Sequence, residues 1–271
     1  MIRALRSLVF AVIYPIYLVV VMGTVQELVI RPLCALMPAH RPTLVRWWLK
    51  THARVVLGMA RSIGGLRLHV RGSLPEASCI VLMNHQSLLD IPVAVLLMRG
   101  PAPIIPTRDK YTRGVPTISG LARLAGFPAL SQGARATRAE HRAMLSAADL
   151  VGRGERSLVI YPEGHRSRTG ELQPFMTSGL QLVLRRTQER PVYLVVVDGL
   201  WRLRSVSDIA RRLAATTATV EIRGPYAVPP DPRDHEAFID RMRAEMASAL
   251  EGLRAPVEGG ATRAAYDQRV G

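Results

Sequence analysis

The stretch Cys79-Ile80-Val81-Leu82-Met83-Asn84-His85-Gln86-Ser87-Leu88-Leu89-Asp90 decides how this chain is read. Its first five residues form an unbroken apolar run, the pattern of a strand. Polar turn formers follow, and a helix is predicted to start near Ser87. Active groups collect at strand ends in open α/β sheets, so this junction is the first place to look for chemistry. His85 occupies the turn and Asp90 the first helical turn, a spacing that lets the carboxylate fold back onto the imidazole. A carboxylate on one ring nitrogen fixes the tautomer and leaves the other nitrogen to take a proton from a hydroxyl. The same letters have a plainer reading. Ser87-Leu88-Leu89-Asp90 is also a capping-box pattern, and Asn84 suits an ordinary turn.

Outward from this junction, short apolar runs alternate with helical patterns, the signature of an α/β layer architecture. Strands are predicted at 66–70, 79–83, 102–106, 127–130, 157–161, 192–197 and 219–222. Helices are predicted to begin near Ser87, Pro116, Thr137, Pro174 and Pro232. The last repeats Phe238, Met242, Met246 and Leu250 along one face, which would cover the sheet. A chain of 271 residues accommodates one such domain plus a smaller appendage. The expected division is 1–62 for N-terminal membrane-anchoring helices, 63–253 for the α/β domain and 254–271 for a mobile tail without apolar period.

The appendage carries its own signal. Between Arg6 and Glu27 lie 20 uncharged residues, Ser7 to Gln26, dominated by Val, Leu, Ile, Phe and Tyr. As a helix this run matches the roughly 30 Å core of a bilayer. Pro15 lies in the middle, so the segment either spans with a kink or dips into one leaflet. The following segment, 43–61, places Leu44, Trp48, Val55 and Met59 on one face and Arg46, Lys50, Arg54 and Arg61 on another. Such a helix suits a headgroup layer, tryptophans at the boundary and cations on anionic lipid; the alternative is an ordinary helix that packs its apolar stripe on the domain. Basic residues after the apolar run (Arg31, Arg41, Arg46, Lys50) outnumber those before it (Arg3, Arg6), which puts the main domain on the cytoplasmic face.

A net charge of +15 calls for an anionic partner. The apolar N-terminus, the low aromatic content and the lack of a reading motif argue against nucleic acid. Two distant cysteines, Cys34 and Cys79, build no disulfide framework and fit a reducing compartment. His69 and His141 read as lone histidines on ordinary strand or helix patterns, and His235, following Pro232 at a helix start, as solvated. Asp198-Gly199 reads as a turn, and Trp201 as a packing residue.

A second cluster, Tyr161-Pro162-Glu163-Gly164-His165-Arg166-Ser167, follows the apolar strand Ser157-Leu158-Val159-Ile160. Pro162 and Gly164 shape a sharp turn from which Glu163 and Arg166 project. Arg166 suits a phosphate, because its planar fork never loses its charge. Together the two clusters resemble the N-H-x4-D and F-P-E-G-T-R-S motifs of the bacterial 1-acyl-glycerol-3-phosphate (lysophosphatidic acid) acyltransferase family, in the family's order. The resemblance covers roughly residues 40–225 and continues through Pro174-Phe175, Gly179 and Pro191-Val192.

This resemblance implies an α/β fold of the glycerol-phosphate acyltransferase kind, a mixed, mostly parallel sheet flanked by helices, preceded by a helical membrane anchor. It implies His85 as general base, Asp90 as its orienter, and Glu163, Gly164, Arg166, Arg135, Asn84 and Ser87 around the acceptor. The acceptor would be a lysophospholipid and the co-substrate acyl-CoA or acyl carrier protein, with no metal and no further cofactor. Three departures stand out. His165 replaces Thr, Met176 and Thr177 stand where Lys is common, and the middle F-I-D-R motif appears as Phe127-Pro128-Ala129-Leu130-Ser131-Gln132-Gly133. Lacking that Arg, the chain leaves room for another lysolipid, for example an amino-acid-containing one. Two rival readings are a metal-dependent hydrolase built on His85, Asp90, Glu163 and His165, and a non-enzymatic lipid-binding protein.

Overall fold

A computed structural model describes residues 1–131 and 137–255. The N-terminal helix α1 (Ile2–Tyr17) runs through two π-helical stretches, Leu18–Gly23 and Gln26–Ile30, into α2 (Arg31–Leu36). Pro15 lies inside α1 without dividing it. Next come α3 (Arg41–Ser62), β1 (Arg67–Arg71), β2 (Ile80–Met83), α4 (Asp90–Leu97), β3 (Pro103–Ile104) and β4 (Thr107–Arg108). The chain continues with α5 (Ile118–Ala125), β5 (Ala129–Leu130), α6 (Arg138–Gly152), β6 (Ser157–Ile160) and α7 (Thr177–Leu184). It closes with β7 (Val192–Asp198), α8 (Val206–Arg212), β8 (Thr217–Tyr226) and α9 (His235–Arg254). Every predicted strand is present, some shortened. β4 and α8 are additions, both too short for a periodic pattern to show.

Six strands form one sheet in the order β1-β8-β7-β2-β6-β3. Only β7 and β8 pair antiparallel, so the sheet is mixed and mostly parallel as expected. β2 is central and buried throughout, and its side chains alternate between two cores. Val81 and Met83 face the core shared with α3, α4 and the N-terminal helix, whereas Ile80 and Leu82 face the one shared with α6, α7 and α9. Covering on both faces is what lets a parallel strand be apolar at every position. The predicted stripe on α9 closes the second core, with Phe238, Met242, Met246 and Leu250 all buried.

The N-terminal helix lies along the domain. Arg6 donates to the carbonyls of Ile63 and Ser62, and Ser7 Oγ accepts from the Ala214 amide. Farther along, Thr117 Oγ1 donates to Leu18 O, and Gln26 bonds both Thr117 O and Trp48 Nε1. The opposite side of this 35-residue run is apolar and exposed, for example at Leu5, Leu8, Val12, Ile16, Val20 and Leu28. By length and composition the run could cross a membrane.

α3 departs from its expected role. Trp48 is 2% exposed and packs edge-on against His52, within a buried stripe of Val45, Leu49, Ala53, Val56 and Ala60. The stripe predicted for a headgroup layer is therefore spent largely on the domain itself, and Trp47 is the exposed tryptophan. Burial lowers the His52 pKa to about 4. The folded protein keeps this ring neutral while the unfolded chain protonates it near 6.5, so stability is full above that value and falls as pH drops toward 4. Between pH 7 and pH 5 this costs about 2 kcal/mol. We expect the thermal midpoint to fall over that interval, and less steeply in His52→Phe. Parallel slopes for the two proteins would refute the assignment.

Cys34 and Cys79 are both buried and free. Arg254, assigned by sequence to the tail, is the last residue of α9 and binds Asp198, Gly170 and Glu171.

Candidate active site

The site begins where β2 leaves the sheet. Asn84 extends the β2–β7 ladder with its side chain: Nδ2 donates to Val197 O at 2.8 Å, and Oδ1 accepts from Val197 N at 2.7 Å. The backbone can then turn without orphaning the end of β7. In this turn His85 Nδ1 meets Asp90 Oδ2 at 2.8 Å. The same oxygen accepts from the amides of Gln86 (2.5 Å) and Ser87 (2.7 Å). Asp90 is fully buried at the first position of α4, where the helix dipole favours a carboxylate. With Nδ1 engaged, Nε2 is the nitrogen left for chemistry, on a side chain 16% exposed.

The second cluster grips the first through the backbone. Glu163 Oε1 accepts from the His85 amide at 2.7 Å, Oε2 accepts from the Gln173 amide at 2.8 Å, and the Ser167 amide donates to His85 O at 2.7 Å. Burial pushes the Glu163 pKa up, opposed by the two amides and by His85. Gly164 has φ +68°, a left-handed conformation that disfavours any side chain, whereas the exposed Met176 side chain beside it could move aside. Arg166 is half-buried, with Nη1 donating to Arg204 O at 2.5 Å. Glu163 is thus a scaffold for the His85 turn, and Arg166 is a cation on the same turn segment.

Asn84 and Ser87, expected near the acceptor, are buried with backbone partners; Ser87 Oγ donates to Leu203 O at 2.7 Å. Both reach residues more than a hundred positions away, which local spacing does not reveal. Arg135 lies outside the described residues. His165 is exposed, and among the described residues no group of three or more His, Cys, Asp or Glu is arranged to hold a metal ion.

Tyr161 is a site residue that sequence reasoning passed over. Its ring stacks on His85 with centroids 4.2 Å apart and planes at 27°. Its hydroxyl is buried without a partner, and burial together with the Asp90 charge holds its pKa well above the usual value. Loss of the stacking ring frees the imidazole to tilt, so Tyr161→Ala is expected to lower turnover about tenfold, the rate equivalent of a stacked pair. Tyr161→Phe keeps the ring and removes only an unpaired hydroxyl, so it should retain turnover and melt no lower. Equal turnover in the Ala and Phe variants would remove the ring from the site.

A groove of about 190 Å³ between α3, β1 and α4, with Arg54 and Arg61 among its lining, includes none of these residues.

A His–Asp pair at the end of a central strand, clasped by a Pro-Glu-Gly turn, is arranged to take a proton from a hydroxyl. Residues 66–198 match the family model described as Acyltransferase, a segment containing both motifs. This segment carries the match to that family, in agreement with the resemblance read from its motifs. Among solved structures it is similar to the 1-acyl-sn-glycerophosphate (LPA) acyltransferase, PlsC, from Thermotoga maritima. The TM-score is 0.68 at 21% identity, covering 94% of this chain and 98% of that one. A search of curated proteins returned no significant match.

Proposed function

We propose that this acyltransferase transfers a fatty acyl group from acyl-CoA or acyl carrier protein to the free hydroxyl of a lysophospholipid, 1-acyl-glycerol-3-phosphate in the first instance. The observation that carries this reading is the 2.8 Å contact between His85 Nδ1 and a fully buried Asp90. Asp90 orients the imidazole and stabilises its charged form, while Nε2 removes the hydroxyl proton. The oxygen attacks the thioester carbonyl; the C–O bond forms, the C–S bond breaks, and the thiolate leaves with the proton held on His85. No nucleophilic serine or cysteine is required. Arg166 holds the anionic headgroup, and Arg135 is a further candidate for that role.

The reaction takes place at a membrane surface. Contacts at Arg6 and at Gln26, about 30 Å apart along a helix, both reach the same domain. A helix tied down over that length lies in the plane of one leaflet, with its exposed apolar side in lipid, and this favours the in-plane alternative over a spanning segment. The arginine-rich surface then meets anionic phospholipid on the cytoplasmic face. The deciding experiment supplies labelled acyl-CoA and acyl carrier protein to the protein in mixed micelles with a panel of lysolipid acceptors. Transfer to lysophosphatidate in the wild type and its loss in His85→Ala support the reading. Thioester hydrolysis without any acylated acceptor would defeat it.

A further inference from the structure

Six buried side-chain polar atoms lack a hydrogen-bond partner among the described residues, and four belong to one neighbourhood: Gln86 Nε2, Asp90 Oδ1, Tyr161 Oη and Arg204 Nε. Folded interiors satisfy nearly all such atoms, so a concentration of them marks a place organised for something other than stability. Three surround His85. The fourth is on the segment that follows β7, which the sequence presents as an unremarkable turn.

This segment, residues 199–204, is strapped across the His–Asp turn. The Trp201 amide donates to Gln86 Oε1 at 3.1 Å, Ser87 Oγ donates to Leu203 O at 2.7 Å, and Arg166 Nη1 donates to Arg204 O at 2.5 Å. At its near end Arg254 binds Asp198 Oδ1 while also holding Gly170 O and Glu171, so the strap and the loop after Arg166 share one clamp. The strap carries two arginines. Arg202 is exposed and lies over the Trp201 ring at 5.0 Å. Arg204 is half-buried, and neither it nor Arg166 forms an ion pair with a carboxylate among the described residues. Arg166 and Arg204 are joined through a backbone carbonyl and carry charge without a neutralising acid among the described residues, on two segments whose neighbouring residues, Ser167 and Leu203, are hydrogen-bonded to the His85 turn. Planar guanidinium groups match the oxygens of a phosphate monoester.

We infer that Arg204 acts with Arg166 as the anchor for the phosphate monoester of the acceptor, making the strap after β7 a determinant of headgroup selectivity. This inference rests on the lysophospholipid-acceptor reading. Substituting the Arg204 side chain leaves the carbonyl that holds Arg166 in place, so the two contributions are separable.

The test uses the full chain in mixed micelles and compares wild type, Arg204→Met and Arg204→Lys. KM for lysophosphatidate should rise tenfold or more in Arg204→Met, with kcat within about threefold, KM for the acyl thioester unchanged and partial recovery in Arg204→Lys. Equilibrium binding in the His85→Ala background, which does not depend on turnover, should show the same tenfold weakening for lysophosphatidate and none for uncharged monoacylglycerol. Equal weakening toward both lipids would assign Arg204 a structural role and overturn the inference. A rise in KM confined to acyl-CoA would place the phosphate on the donor and overturn it as well. An active wild type whose KM and binding ignore Arg204 sinks the inference alone. A wild type that binds lysophosphatidate through Arg204 but acylates nothing sinks the proposed function and leaves the anchor standing.

Discussion

Replacing His85 by Ala is expected to lower acyl transfer about a thousandfold, within the 10² to 10⁴ that a positioned general base supplies. The side chain is 16% exposed, and among the described residues its one hydrogen bond goes to Asp90. The His85 backbone contacts to Glu163 and Ser167 survive the truncation. The fold and membrane association should therefore persist, and the loss should appear in kcat with KM nearly unchanged. Turnover measured beside vesicle flotation checks both halves. Residual activity within a few-fold of wild type would end the general-base assignment, while loss of flotation would show that the variant had unfolded.

Truncating Asp90 to Ala has a larger and different consequence. One oxygen of this carboxylate serves three donors: His85 Nδ1 and the amides of Gln86 and Ser87, both fully buried residues. Each amide left unpaired costs about 1–3 kcal/mol, so Asp90→Ala should lose about 3 kcal/mol of stability. Turnover should fall by about 10³ to 10⁴, because the imidazole loses both its orientation and its counter-charge. Asp90→Asn separates the effects: its carbonyl can still accept from the turn amides and recover much of the stability, but without the negative charge turnover stays low. Thermal unfolding alongside kinetics distinguishes the two. An Asn variant as active as wild type would mean that the charge on Asp90 has no part in the reaction.

The treatment of Asp90 shows how far the sequence could be read. A capping box and an imidazole-orienting role stood as alternatives; Ser87 does not cap α4, its Oγ going to Leu203 O, yet the reach-back of Asp90 to the Ser87 amide and its contact with the imidazole fall on a single oxygen. Such an overlap is invisible in a pattern of letters, because a pattern names partners without counting lone pairs. The α9 stripe and the alternation of strands and helices were legible for the opposite reason. They depend on residues a few positions apart, whose periodicity survives in one dimension. Trp48 was misread because an amphipathic helix presents the same pattern whether its apolar face meets lipid or a neighbouring core.

Polar side chains that hold the site together were also hidden. Asn84 reaches Val197, Glu163 reaches the His85 amide and Ser87 reaches Leu203. Each pair is joined only when the sheet order brings β2, β6 and β7 side by side.

By itself the sequence determined the order of strands and helices, the spacing of His85 and Asp90 across a strand-to-helix turn, the Pro-Glu-Gly turn and the apolar character of the first helix. These are local properties, set by chemistry within a few residues. Only the tertiary structure decided that the first helix lies along the domain, that Tyr161 stacks on His85, and that a strap after β7 leaves Arg166 and Arg204 without acidic partners among the described residues. Those outcomes depend on which distant surfaces meet, and that is settled when the sheet assembles and its two cores close.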